Sequence, residues 1–149
     1  MRRLIFTGVL FLVLLALPLN TAAAQDTGSD ATRATESGFE LQQNYPNPFN
    51  PTTRIPFALQ PSIFADGRPV VVTMRIFNVL QQLVAFPTAL NHPMGNGTPV
   101  RELVYESPGQ KEAFWDGRDL NGRQVASGIY YLQVIVNGKH RIMPMIVAK

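Results

Sequence analysis

The sequence predicts an all-β protein, an Ig-like or fibronectin III-like β-sandwich of about seven strands. Three observations carry this expectation. Short apolar runs of strand length recur along the chain with alternating patterning, as at residues 70–77 and 129–136. Turn dipeptides separate them, among them Asp116-Gly117, Asn121-Gly122 and Asn137-Gly138. No helical periodicity follows the first 24 residues. A barrel of four or five strands is the alternative architecture, and strand order is not readable at this stage.

The first 24 residues stand apart. Met1-Arg2-Arg3 is a basic start, residues 4–17 are apolar apart from Thr7 and Gly8, and Ala22-Ala23-Ala24 gives small residues before Gln25. That is the form of a cleavable signal peptide, and its apolar run is shorter than the roughly 20 residues of a membrane span. No membrane span is expected after cleavage. Removing residues 1–24 takes away two charges, Arg2 and Arg3, so the formal charge falls from +3 to +1. The remaining Lys and Arg are scattered singly, so no nucleic-acid partner is expected. The chain has no Cys. An exported domain without disulfides must be held by its apolar core alone.

Residues 25–38 are small and polar and read as a flexible linker, so the domain is expected over residues 39–149. Residues 44–53 carry three prolines, which exclude helix and bias the preceding residues to extended geometry. This stretch reads as an extended arm, with Tyr45 and Phe49 docking on the core. As a recognition element it comprises Tyr45, Pro46, Asn47, Pro48, Phe49, Asn50 and Pro51. Strands follow at residues 54–59, where Pro56 suggests a sheet edge, at 70–77 with Val70, Val72, Met74 and Ile76 inward, and at 83–86. Residues 87–99 read as a long loop, and strands are expected again at 100–105 and 110–115.

Trp115 is the natural plug of a small β core, since it buries a large apolar area and needs a partner for its N–H. Around it Asp116, Gly117, Gly122, Gly128 and Tyr130 form a tight polar loop leading into the strand at 129–136. Asn137-Gly138 then turns the chain into a last strand over 139–148, where Pro144 demands an edge or a bulge.

These stretches together carry a resemblance. Residues 41–57, Leu-Gln-Gln-Asn-Tyr-Pro-Asn-Pro-Phe-Asn-Pro-Thr-Thr-Arg-Ile-Pro-Phe, closely resemble the opening motif of C-terminal sorting domains of the bacterial type IX secretion system. Residues 72–80, Trp115-Asp-Gly-Arg-Asp and Gly122-Arg-Gln-Val-Ala-Ser-Gly-Ile-Tyr fit the same pattern, which is similar to the Ig-like domain of the flagellar hook-capping protein. Three departures stand out. The family's Leu-Gly-Gln turn is Leu80-Gln81-Gln82 here, residues 87–109 are longer than in short members, and Pro144 falls in the terminal strand beside Lys139, His140 and Arg141.

The resemblance implies recognition of the folded domain by an outer-membrane translocon, with Arg141, Met143, Met145, Val147 and Lys149 as the terminal sorting strand. Export to the periplasm and then to the cell surface or medium follows on that reading. With only residues 25–39 upstream, either the domain is itself the product or the frame is the remnant of a larger cargo protein. The partner is expected to pair with an exposed strand edge.

No enzyme is expected. Without Cys, and with His92 and His140 as the only histidines, thiolate catalysis and multi-histidine metal sites are excluded. Asp116, Asp119 and Asn121 could offer oxygens to Ca²⁺, although the same residue types serve as turn caps. The alternative function is a surface module that binds carbohydrate or Ca²⁺ through these rim loops.

Overall fold

The computed structural model describes residues 37–149, so the signal peptide at 1–24 and all but the last two linker residues lie outside the described residues. Ten strands form the sandwich: β1 (Phe39–Leu41), β2 (Thr53–Leu59), β3 (Val70–Phe77), β4 (Leu83–Ala85), β5 (Thr88–Leu90), β6 (Thr98–Pro99), β7 (Leu103–Tyr105), β8 (Gly109–Trp115), β9 (Gly128–Val136) and β10 (Lys139–Val147). One sheet runs β1-β2-β8-β5-β6 and the other β10-β9-β3-β4, with β7 also paired to β3. Every pairing between named strands is antiparallel.

Alternation puts the core between the sheets. Ile55, Phe57 and Leu59 of β2 meet Val70, Val72, Met74 and Ile76 of β3 and Leu132, Val134 and Val136 of β9, all at most 1% exposed. Burying side chains of this size stabilises by about 1.5–3 kcal/mol each, which is how a domain without Cys is held together.

Four expectations need correction. The seven strands anticipated are present, but β1, β5 and β6 are added, each only two or three residues long. β5 and β6 lie inside the stretch expected to be loop; Ala89 is fully buried, and β5 fills the place beside β8. The strand expected at 100–105 breaks at Arg101 and Glu102, Glu102 having φ 52, and only Leu103–Tyr105 pairs regularly with β3.

Pro56 is not at a sheet edge, because β2 lies between β1 and β8. Its carbonyl accepts from Gln42 N–H at 3.1 Å, so its missing N–H would face the same side, just past the last β1 pair, Leu41 with Phe57. Proline therefore stops that ladder without harming the one to β8. The turn at 78–82 is as expected. The Asn78 side chain accepts from Leu80 and Gln82 N–H at 3.0 and 2.9 Å, and Gln81 takes φ 59 without a glycine.

Candidate recognition site

The arm, the tryptophan loop and the end of β10 are built into one junction. The arm begins with Asn44, whose side-chain N–H donates to Thr53 Oγ1 at 2.9 Å and to the Pro46 carbonyl at 3.3 Å, while the Thr53 hydroxyl donates to the same carbonyl at 3.0 Å. Both residues are 1% exposed. Backbone bonds of 2.9 Å in each direction between Tyr45 and Arg54 close the neck. The prolines cannot supply N–H groups to a ladder, so Asn and Thr side chains bond the Pro46 carbonyl instead.

From this neck the arm reaches β10. Phe49 N–H donates to the Ile146 carbonyl at 2.9 Å, and Ala148 N–H donates back to the Phe49 carbonyl at 3.0 Å. Asn47 Oδ1 takes the Ile146 N–H at 2.9 Å. Phe49 and Val147 thus form a parallel bridge, a one-residue extension of the sheet beyond its terminal strand.

Aromatic rings hold the junction from beneath. Phe49, 1% exposed, stands edge-on to Trp115 with centroids 5.4 Å apart, and Trp115 stands edge-on to Tyr130 at 5.5 Å. These edge-to-face geometries suit the ring quadrupoles. The Trp115 N–H donates to the Arg118 carbonyl at 2.9 Å, and the Tyr130 hydroxyl to the Ala126 carbonyl at 2.9 Å. Burial pushes the Tyr130 pKa up. Gly117 has φ 72, and a Cβ there would run into the Pro51 carbonyl oxygen and come within 2.8 Å of Gln124 Nε2. Only glycine lets the loop approach the arm this closely.

The oxygen cluster is committed to the loop. Asp116 accepts from Arg118 N–H at 3.0 Å, and Asp119 accepts from Asn121 and Arg123 N–H at 2.9 Å each. Arg118 and Arg123 guanidinium groups sit 3.8 and 3.4 Å from these carboxylates. The Arg123 backbone N–H is the first cause of the lowered Asp119 pKa. Among the described residues no group of three acidic, histidine or cysteine side chains is placed to hold a metal ion. Gly122 donates to the Asp119 carbonyl at 2.9 Å and closes the same turn, and Gly128 opens β9 opposite Val147.

A hollow of about 390 Å³ opens beside this loop, lined by residues that include Phe86, Asp116, Asp119 and Leu120. The ring of Phe86 is already covered by the Arg101 guanidinium, 5.4 Å from its centroid.

The sequence-predicted residues are distributed unevenly. Phe49 docks as expected, but Tyr45 is 52% exposed and bonds Glu112 at 2.9 Å through its hydroxyl. That bond is the main reason its pKa is raised. Met143, Met145 and Val147 face the core at no more than 8% exposure. Arg141 lies over the Phe39 ring and bonds Ser37, and the Lys149 N–H donates to Ser127 Oγ at 3.2 Å. What β10 shows a partner is therefore its other face, with Ile142 and Ile146, and its edge.

Pro144 fits that edge as expected: β10 is the terminal strand of its sheet and pairs with β9 without a break. Ile146 spends both backbone groups on the arm, so alternation aims those of His140 and Ile142, and the Pro144 carbonyl, off the edge. Among the described residues these have no partner across the edge. The arm closes one half of β10 and leaves the other open. Sequence reasoning missed Asn47 as the cap of Ile146; a side-chain acceptor two residues before a buried aromatic, in a proline-interrupted run, was the available signal.

No family model matches the chain, and no curated protein does. Two solved structures resemble it in fold. PorZ, described as an essential surface component of the type-IX secretion system of Porphyromonas gingivalis, is 20% identical with a TM-score of 0.42 over 82% of this chain. Dimeric latent PorU from Porphyromonas gingivalis is 20% identical with a TM-score of 0.48 over 74% of this chain. The chain spans 13% of the first and 9% of the second.

Proposed function

We propose that this chain is a non-enzymatic exported module whose task is to be recognised, as a sorting signal for type IX passage across the outer membrane followed by surface attachment or release. The single observation behind this reading is that the arm, which resembles the opening motif of sorting domains, and the terminal strand, to which that resemblance assigns the sorting role, join in one structural unit. That unit leaves the His140–Pro144 half of β10 open to an added strand. An unpaired edge supplies main-chain hydrogen bonds to a partner of many possible sequences, which suits a receptor serving varied cargo. The rim-loop alternative, carbohydrate or Ca²⁺ binding, has less behind it, since the loop carboxylates are already bonded and Phe86 is covered.

Removing residues 141–149 would take Met143, Met145 and Val147 out of the core, so it cannot test recognition alone. Ile142→Pro is the sharper test. The Ile142 N–H points away from β9 and its side chain is 60% exposed, so the core and the β9 ladder stay intact. The expected outcome is a folded protein that accumulates in the periplasm. Unchanged delivery to the surface or medium would sink the proposal.

A further inference from the structure

Every second residue of β10, β9, β3 and β7 points out of the sandwich, and this outer face is more apolar than an exposed sheet normally shows. Ile142 is 60% exposed, Ile129 47%, and Val71 and Val104 40% each. β10, β9 and β3, spaced about 4.8 Å apart and roughly 25–30 Å long, with the three-residue β7 beside one end, give a footprint on the order of 300–500 Å², the size of the largest surface patch on a typical monomer, which is often functional.

The two ends of the face differ. At one end Val71 and Val104 lie directly opposite each other and make a raised apolar pair. At the other is a groove of about 600 Å³, lined by Phe77, Val79, Tyr131, Gln133 and Ile142 among others. Between them stand two opposite charges. Arg75 lies on β3 next to the groove, across from Gln133. Glu102 lies toward the valine end, its N–H donating at 3.0 Å to the hydroxyl of Thr73, which is buried in the middle of this face. Both side chains are exposed, and neither has an ion pair or side-chain hydrogen bond among the described residues.

We infer that this face is a self-association surface, on which a second copy of the chain docks face to face with Arg75 of each copy against Glu102 of the other. A two-fold axis lying in the interface between Arg75 and Glu102 exchanges the two ends of the face. The same rotation that brings each guanidinium over the other copy's carboxylate carries the Val71–Val104 pair over the other copy's groove. One operation satisfies both the charges and the shape. A partner of any other chemistry would have to present the same apolar ridge and acid, which this chain already carries. The open edge of β10 lies at the rim and stays free, so the inference does not rest on the recognition reading.

The footprint suits a reversible dimer, so the test is sedimentation velocity on the naturally processed protein from about 1 to about 200 μM. The wild-type protein is expected to pass from monomer to dimer over this range. Arg75→Glu and Glu102→Arg should each weaken association at least about tenfold by setting like charges opposite, and the double exchange should return it to within about threefold of wild type. Far-UV circular dichroism confirms that these exposed changes leave the fold intact. A monomer at every concentration, a dimer indifferent to the single exchanges, or a double exchange that fails to restore it would each overturn the inference.

Discussion

The two halves of β10 belong to one edge strand and have opposite surroundings. The half after Pro144 alternates core and exposed residues, whereas the half before it is basic and places only Met143 in the core. Near Ile146 the edge is covered by the arm, which supplies a donor, an acceptor and the Asn47 side chain. Near His140 and Ile142 no described residue pairs with it. An edge is thus not one property of a strand but is set residue by residue, by whatever else the fold can bring alongside. Here the protein closes the half that lies over its aromatic stack and leaves the half beside its hairpin.

Changes at the junction break this contrast in graded steps. Phe49→Ala is the largest. It removes a fully buried ring from the Trp115 stack, so a loss of about 3–5 kcal/mol is expected in denaturant unfolding, with the Ile146 and Ala148 amides exchanging as fast as that of Ile142. Gly117→Ala comes next. It adds a Cβ at positive φ against the Pro51 carbonyl, and a loss of at least about 2 kcal/mol with a displaced arm is expected from unfolding and amide shifts. Asn47→Ala is the mildest. It strips the acceptor from Ile146 N–H and costs about 1 kcal/mol, read as faster exchange at that one amide while Phe49 stays docked.

Much of this architecture is legible in the residues. Long strands such as β3, β9 and β10 announce themselves because one side is buried along most of their length, so alternation persists long enough to be read. β5 and β6 do not, since two or three residues cannot display a period and their pairing is decided by the vacancy beside β8. Trp115 and Gly117 are readable as a plug and a tight turn, and Phe49 as an anchor. That Phe49 anchors against Val147 is not readable, because nothing local in either segment specifies a parallel contact between them. Asp119 shows the same limit: its oxygens could serve a cation or a turn, and only the positions of the Asn121 and Arg123 N–H groups assign them.

Asn47 and Ile146 are 99 residues apart, which bears on the order of assembly. Closing so long a loop costs more entropy than any local turn, so this contact forms only after hairpins such as β9–β10 have given it something to land on. Until then the ring of Phe49 lacks its place against Trp115. The docked arm is therefore a late marker of assembly, and any factor that requires it will distinguish the finished sandwich from a chain that is nearly, but not yet, folded.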